Sequence, residues 1–400
     1  MRGRDHHALA ALGLAGCLSA PTGQAPVDAA SGLAWPPPGA NIVAHVSADL
    51  DGDGLDDVLA LDATSGRIYV LRGGAGHDVD PSRATVTTVT RSAALAGLAG
   101  PAAVAVIAYQ SVRRVVILDT PTAGARLTVL GADLAPISTT MLAVARPAAN
   151  ATVSLTPSAF GMSGAALFGT VPDGAFFIEA SEAAKGTPMI PGVPSTGGTA
   201  FNDVMAAGGY ITRTGTPTPR IFVSERTLAQ RSDAQGGNFA FTSLRPAGPG
   251  WSPQVVDDIT GDQLPDVIGF DGNGNGNALL CAIDVESATL PTCFQTPFGM
   301  DAATMVVGPA LATGQRDVVL VSKSPTSGDV SVFVVPDLHV SGAALAADNP
   351  GPPGSFPVDS PTMSLAQLDT GPLEVLLVGK DGAIVCVHAR TGPSVTCDQP

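Results

Sequence analysis

Residues 49–57 read DLDGDGLDD and place five aspartates within nine positions, in a chain of which only 14% of the residues are charged. Neighbouring carboxylates repel one another unless a cation or a helix N-terminus compensates their charge. The flanking segments, NIVAHVSA before the stretch and VLALDA after it, have the apolar patterns of β-strands, so no helix is at hand. The stretch therefore predicts a cation-binding loop between two strands.

A second copy of this loop begins at Asp258. The segment DITGDQLPDVI at 258–268 aligns with DLDGDGLDDVL at 49–59 without a gap. Two shorter copies, at 310–319 and 367–376, have lost most of the carboxylates. All four copies keep an apolar strand, a turn that contains glycine, an acidic residue and a second apolar strand, which indicates an internal repeat.

Further apolar segments complete the repeat. The predicted third strands read RIYVLRG, NALLCAI, DVSVFVV and AIVCVHA. Predicted fourth strands read ATVTTVT, TLPTCFQ and PSVTCDQ, and the unit with DVSVFVV has no clear fourth strand. Regions 98–119, 141–170 and 203–224 share the spacing of the repeat but lack the acidic loop.

The units start near residues 42, 97, 140, 203, 254, 304 and 363. Four strands in a unit of this length are typical of a β-propeller blade. We therefore predict an all-β fold, a seven-bladed β-propeller of four-stranded antiparallel blades over residues 40–400. Rings of six or eight blades and a pair of β-sandwiches are the alternatives. Recurrence of one loop between the first two strands of separate units favours the propeller over the sandwiches.

Calcium is the cation that the first loop suits, because it takes six to eight oxygen ligands in flexible geometry. Gly52 and Gly54 allow the sharp turn that brings alternate side chains inward. Asp56 falls between ligand positions and is expected to face solvent. The predicted ligands are the carboxylates of Asp49, Asp51, Asp53 and Asp57 and the backbone carbonyl of Leu55.

The second loop predicts a weaker calcium site, because it has three carboxylates instead of four. Its predicted ligands are Asp258, Thr260, Asp262, the carbonyl of Leu264, and Asp266. The shorter copies keep too few oxygens and are expected to be empty. The segment DGNGNGN at 271–277 also contains possible ligands, but Asn-Gly favours a hairpin turn, and we interpret it as one.

The segment ADLDGDGLDDVLAL at 48–61, followed by GRIYVL at 66–71, resembles the FG-GAP or VCBS-type repeat. This repeat builds the propeller of integrin α subunits and occurs in many exported bacterial proteins. The resemblance is strong for 42–72, fair for 254–283 and topological elsewhere. It implies loops that bind calcium at the blade edge and hold the first two strands together. It also implies a module for adhesion or ligand binding.

The N-terminus combines a basic start, MRGRDHH, with the apolar run ALAALGLAG, which is too short to span a bilayer. The four residues Leu14–Cys17, LAGC, resemble the lipobox of a bacterial lipoprotein signal peptide. The resemblance implies a signal peptide at 1–16, cleavage before Cys17 and a lipid on that cysteine. Residues 17–39, which include Trp35, would form a flexible tether. An ordinary secretory signal with an incidental cysteine is the alternative.

Four further cysteines suit an exported protein, because disulfides persist in oxidising compartments. They are Cys281, Cys293, Cys386 and Cys397, and the sequence alone permits three pairings. We predict Cys281–Cys293 and Cys386–Cys397, because each pair would then join the third strand of a unit to its fourth. A metal site made of all four cysteines is the weaker alternative, since the sequence contains no C-x-x-C.

The net charge of −15 argues against nucleic acid or an anionic membrane surface as a partner, so membrane contact is expected through the lipid anchor only. The sequence has no G-x-S-x-G, no H-E-x-x-H and no phosphate-binding glycine loop, and we interpret His45 and His388 as structural residues.

Together these features predict an exported, calcium-stabilised lipoprotein that binds a protein or glycan, located on the periplasmic face of the outer membrane or at the cell surface. An exported hydrolase or lyase with a site assembled across blades is one alternative. A structural envelope protein without a dedicated ligand is the other.

Overall fold

The structure is a computed structural model. It describes residues 35–74, 79, 91–95, 98, 102–121, 124–142, 153–158, 166–171, 174–186, 207–211, 218–223, 227–231, 239–243, 251–261, 266–271, 279–284, 293–296, 304–311, 316–323, 329–341, 344–347 and 354–387.

These residues form seven antiparallel sheets of three or four strands, and each sheet is built from one segment of the chain. The first sheet contains β1 (Ile42–Ala48), β2 (Asp57–Asp62), β3 (Arg67–Leu71) and β4 (Arg91–Ala94). The second contains β5 (Ala102–Tyr109), β6 (Val112–Asp119), β7 (Ala125–Gly131) and β8 (Pro136–Leu142). The third contains β9 (Ser154–Ser158), β10 (Ala166–Val171) and β11 (Gly174–Glu179), and α1 (Ala180–Ala184) follows it.

The remaining four sheets are also built from strands that follow one another along the chain. The fourth contains β12 (Ala207–Ile211), β13 (Thr218–Val223), β14 (Thr227–Arg231) and β15 (Phe239–Ser243). The fifth contains β16 (Trp251–Asp257), β17 (Asp266–Asp271), β18 (Leu279–Asp284) and β19 (Phe294–Gln295). The sixth contains β20 (Thr304–Gly308), β21 (Asp317–Lys323), β22 (Val330–Val335) and β25 (Gly354–Phe356), with a hairpin of β23 (His339–Ser341) and β24 (Ala344–Ala346) inserted before its last strand. The seventh contains β26 (Thr362–Ala366), β27 (Glu374–Val378) and β28 (Ile384–Val387).

The first strands of the sheets contact one another in a closed cycle. β1 contacts β5, and the series continues through β9, β12, β16, β20 and β26, which contacts β1 again. Sheets arranged around an axis with their first strands innermost form a β-propeller. Two sandwiches would pack sheets face to face and would give no such cycle, so the fold is an all-β propeller with antiparallel blades.

The apolar cores lie between neighbouring sheets, and β2 shows how the sequence produces this. All six residues of β2 are buried. Leu59 and Leu61 pack in one cluster with residues of the second sheet, such as Val115. Val58 and Ala60 pack in another with residues of the seventh sheet. Because side chains alternate between the two faces of a strand, a strand between two neighbours reads as a continuous apolar run.

Two predictions about the repeat are confirmed, one is wrong, and one strand that the sequence left unassigned is identified. The four predicted third strands are observed as β3, β18, β22 and β28. The disulfide Cys281–Cys293 is present and links β18 to the residue before β19. The third unit was predicted to start near residue 140, but β8 closes the second sheet there and the third begins at Ser154. The sixth unit does have a fourth strand, β25, which the inserted hairpin separates from β22.

Two predictions fall partly outside the described residues. Cys386 lies on β28 as expected, but Cys397 is outside, so this pairing stays a prediction. The segment DGNGNGN begins at the last residue of β17, and its other residues are outside, although β17 and β18 pair antiparallel as a hairpin requires. No helix within the described ranges is long and apolar enough to cross a membrane.

Trp35 lies in the core instead of the tether. Only 6% of its surface is exposed, and its Nε1–H donates to the carbonyl oxygen of Gly382 at 2.8 Å. Its ring meets that of Tyr69 edge-on, with centroids 5.8 Å apart. Trp35 therefore packs across the boundary between the first and seventh sheets, and its assignment to a flexible tether was wrong.

Candidate metal centre

The loop between β1 and β2 is folded by its own aspartates. The Asp49 carboxylate accepts the backbone N–H of Gly52 at 2.5 Å and that of Gly54 at 3.3 Å. Gly52 and Gly54 both have φ of +90°, a backbone conformation that other residues rarely adopt. Asp53 accepts the N–H of Leu55 at 2.9 Å. Aspartate side chains and two glycines thus produce the tight turn that the sequence predicted.

Three of the four predicted carboxylates converge in this loop. Asp49, Asp51 and Asp53 each offer one oxygen, and these oxygens lie within 4.8 Å of one another. Two oxygens bound to the same calcium ion at 2.3–2.6 Å can be at most about 5 Å apart. The spacing of the three oxygens is therefore compatible with ligation of a single cation of this size.

Two arginines already contact these carboxylates. Arg72, which follows β3, places Nη2 at 2.9 Å from Asp51 Oδ2 and 3.2 Å from Asp53 Oδ2. Arg113, on β6 of the second sheet, donates from Nη2 to Asp49 Oδ2 at 3.0 Å. Nothing in the sequence marked these arginines, because they are distant from the loop along the chain.

The fourth predicted carboxylate, Asp57, is not part of this group. Asp57 is buried at the first position of β2, where it accepts the backbone N–H of Gly73 at 3.1 Å and that of Leu50. Burial raises the pKa of Asp57 to about 6, and the negative charges of Asp51 and Asp53 act in the same direction. Asp57 therefore stabilises the loop through backbone hydrogen bonds, and this role does not require that it ligates a cation.

A buried acidic residue that accepts backbone N–H groups also occurs in three further sheets. Asp266, Asp317 and Glu374 are buried at the first position of the second strand. Each accepts at least one backbone N–H from the preceding loop: Ile259 donates to Asp266 at 2.9 Å, Leu311 to Asp317 at 2.6 Å and Leu368 to Glu374 at 3.1 Å. This explains why the acidic residue persists in loops that have lost their other carboxylates. A buried backbone N–H without a partner is costly.

The second predicted site resembles the first where it is described. Gly261, with φ of +78°, donates its N–H to Asp258 at 2.7 Å, as Gly52 does to Asp49. Asp258 and Asp266 are both buried. Thr260 donates its backbone N–H to Asp266 at 3.0 Å. Asp262 and Leu264 lie outside the described residues, so the structure describes only part of this predicted ligand set.

An arginine from the following sheet contacts the second loop as well. Arg316 lies just before β21, and its guanidinium is 3.7 Å from Asp257 and 3.8 Å from Asp258. It corresponds to Arg113, which reaches the first loop from β6. In both places the acidic loop of one sheet is therefore linked to the next sheet by an arginine.

Asp56 was expected to face solvent, but it contacts the seventh sheet instead. Its backbone N–H donates to the Gln367 carbonyl at 2.7 Å, and its carboxylate accepts the Gln367 N–H at 2.8 Å. Burial raises the pKa of Asp56. Gln367 belongs to the loop after β26, so Asp56 joins the acidic loop of the first sheet to the seventh sheet. The sequence pattern did not predict this role of Asp56, because the role depends on Gln367, which is distant along the chain.

His45 also lies between the first and seventh sheets. Its Nδ1 is 2.5 Å from Thr362 Oγ1, and its Nε2 is 2.8 Å from Ser364 Oγ. Ser47 Oγ is in turn 2.6 Å from Ser364 Oγ. Burial lowers the pKa of His45 to about 3, so the imidazole is neutral at physiological pH and a weak base. These contacts support a structural role for His45, and His388 lies outside the described residues.

Among solved structures, the WD40 domain of SCAP from fission yeast is similar to this chain at 8% identity with a TM-score of 0.46, covering 85% of this chain and 79% of that one. A lectin of Agrocybe aegerita, described as recognising non-reducing terminal N-acetylglucosamine, is similar at 15% identity with a TM-score of 0.48, covering 79% and 80%. The Vibrio cholerae biofilm matrix protein Bap1 is similar at 12% identity with a TM-score of 0.36, covering 90% of this chain and 60% of that one. No protein-family model matches the sequence, and no curated protein is significantly similar to it.

Proposed function

We propose that this protein is a calcium-stabilised propeller of the FG-GAP type, anchored by a lipid, that binds a protein or glycan at the cell envelope or surface. The observation that carries the proposal is the convergence of the Asp49, Asp51 and Asp53 carboxylates within 4.8 Å. It occurs in the very loop whose sequence resembles the FG-GAP repeat. Binding or adhesion is what that resemblance implies for the module as a whole.

We further propose that the propeller has seven blades. The support is the closed cycle of contacts among seven first strands, in which β26 meets β1. Trp35, Asp56 and His45 all lie at this closure and form hydrogen bonds across it. Seven sheets of three or four strands would then each be one blade.

In this proposal the calcium ion is held by the carboxylates of Asp49, Asp51 and Asp53, with the Leu55 carbonyl and Asp57 as the remaining candidates. A second and weaker ion would use Asp258, Thr260, Asp262, Leu264 and Asp266. Bound calcium would neutralise the repelling carboxylates and tie the end of β1 to the start of β2. Its role is to stabilise a blade edge, which keeps the neighbouring surface rigid for partner binding.

Calcium is expected to raise the melting temperature of the protein over that in chelator. At a free concentration of 100 times Kd, one ion adds about 2.7 kcal/mol to the free energy of unfolding, which corresponds to roughly 3–5 °C for a chain of this size. Asp53→Asn should remove most of this difference, because it deletes a ligand charge but keeps the acceptor for the Leu55 N–H. Differential scanning calorimetry in calcium and in EGTA measures the melting temperatures of the wild type and of Asp53→Asn.

Asp381→Asn is the matched control for that experiment. Asp381 accepts the N–H of Ala383 at 3.0 Å, the same local bond that Asp53 makes, but it lies in a turn of the seventh sheet away from the loop. It should keep the full calcium effect. A wild-type protein that melts at the same temperature in calcium and in EGTA would contradict calcium stabilisation.

The lipid anchor is expected on Cys17, which lies outside the described residues. Mass spectrometry of the N-terminal peptide from the membrane fraction should find diacylglycerol on the sulfur and an acylated amino group. A Cys17→Ser variant should leave the membrane fraction, because a single residue carries the whole anchor. Recovery of an unmodified Cys17 from the exported protein would show that it is not a lipoprotein.

A further inference from the structure

The aspartate loop is surrounded by cations that belong to the protein itself. Asp49, Asp51 and Asp53 bring three negative charges together, and Arg72 and Arg113 bring two positive charges to them. If calcium bound while both arginines stayed in place, four positive charges would face these three carboxylates. Like charges at such short distances repel strongly, which favours movement of at least one arginine away from the loop when an ion binds.

The geometry distinguishes the two arginines. Arg72 Nη2 contacts Asp51 Oδ2 at 2.9 Å and Asp53 Oδ2 at 3.2 Å, so this one nitrogen occupies the space between two proposed calcium ligands. Of the three carboxylates, Arg113 contacts that of Asp49, and it approaches from the second sheet. Arg72 is therefore the arginine that a calcium ion would displace.

Arg72 is also held in this position mainly by the carboxylates. Its side chain is 42% exposed, and its Nε is buried without a hydrogen-bond partner among the described residues. An unsatisfied buried donor is unfavourable. The guanidinium thus loses little when a stronger cation takes its two carboxylates, because the side chain is already partly exposed to water.

We infer that Arg72 is a built-in competitor of calcium. Its guanidinium neutralises Asp51 and Asp53 while the ion is absent, and it leaves them when the ion binds. This inference rests on the proposed calcium site. It implies that the loop stays folded at low calcium and that its affinity is weakened, towards the range of roughly 10⁻⁴–10⁻³ M that is typical of extracellular modules.

Isothermal titration calorimetry of the full chain with calcium chloride tests this. Arg72→Gln should lower Kd by about tenfold, because removing one unit charge close to the ion changes the binding free energy by about 1.4 kcal/mol or more. Arg67→Gln is the matched control. Arg67 lies at the other end of β3 and donates to Ser92 Oγ at 2.8 Å, away from the loop. Its Kd should stay within about twofold of that of the wild type.

Thermal melting supplies a second readout that a purely structural arginine would not give. In EGTA, Arg72→Gln should melt below the wild type, because the carboxylates lose a counter-charge. In saturating calcium the two proteins should melt at the same temperature, because Arg72 has left the carboxylates in the wild type and is absent from the variant. Arg72→Lys keeps the charge and should bind calcium with an affinity between those of the wild type and Arg72→Gln.

The outcomes separate this inference from the proposed function. If the wild type and Arg72→Gln bind calcium with equal Kd, the competition is refuted while the calcium site stands. If only Arg72→Gln binds, the competition is established and calcium stabilisation of the wild type is refuted. If no variant binds calcium, both are refuted.

Discussion

Replacing Trp35 by alanine is expected to lower the free energy of unfolding by about 3–5 kcal/mol, the usual cost of deleting a buried tryptophan. Trp35 is 6% exposed and packs in one apolar cluster with residues of the first and seventh sheets. It also donates to Gly382 at 2.8 Å and meets the ring of Tyr69. Truncation would leave a cavity at the place where the ring of sheets closes and a carbonyl without its donor.

Urea denaturation followed by far-ultraviolet circular dichroism measures this change without depending on tryptophan fluorescence. Trp35→Phe is the control, because it keeps an aromatic ring near Tyr69 but loses the Nε1–H bond. It should cost about 1–2 kcal/mol. An alanine variant with the midpoint of the wild type would mean that residues 35–40 do not pack on the propeller.

Replacing Gly73 by alanine is expected to cost about 3 kcal/mol, at the upper end of the range for overpacking. A Cβ at Gly73 would lie 1.7 Å from the carbonyl oxygen of Asp56 and 3.1 Å from Leu368 Cδ2. The carbonyl belongs to the backbone, so no change of side-chain rotamer can relieve the overlap. The displaced segment is the one that joins the acidic loop to Gln367, and the N–H of Gly73 itself donates to Asp57.

Gly66→Ala is the control for Gly73→Ala in the same denaturation experiment. Gly66 has φ of +63°, and the nearest atom to its Cβ would be 3.8 Å away, so alanine there meets backbone strain but no overlap. It should cost about 1–2 kcal/mol. Equal costs for the two variants would contradict the close approach of Gly73 to Asp56.

The acidic loop was the best predictor of the fold, because its residues act locally. The aspartates and glycines of 49–57 bond to their own backbone, so the sequence suffices to predict the turn. The apolar runs also predicted the third strands. The second sheet offered no such loop, since β5 and β6 are joined by a tight turn in which Gln110 has φ of +54°. Strand β8 was therefore assigned to the wrong unit, because strand order alone does not show which partner an edge strand takes.

The features that the sequence did not predict depend on residues far apart in the chain. Asp56 meets Gln367, Trp35 meets Gly382, and Arg113 reaches Asp49 from another sheet. The first two contacts exist because the seventh sheet meets the first, and the third exists because the second sheet packs beside the first. The buried acid at the start of the second strand was visible as a repeated residue, but its role as an acceptor of backbone N–H groups required the folded loop.

A crystal structure of the protein grown with calcium, with anomalous data collected to locate the ion, is the most direct test of the proposed calcium site. The expected result is an anomalous peak between Asp49, Asp51 and Asp53, with the guanidinium of Arg72 turned away from Asp51 and Asp53. Carboxylates that remain paired with Arg72 and Arg113, with no peak at millimolar calcium, would contradict it.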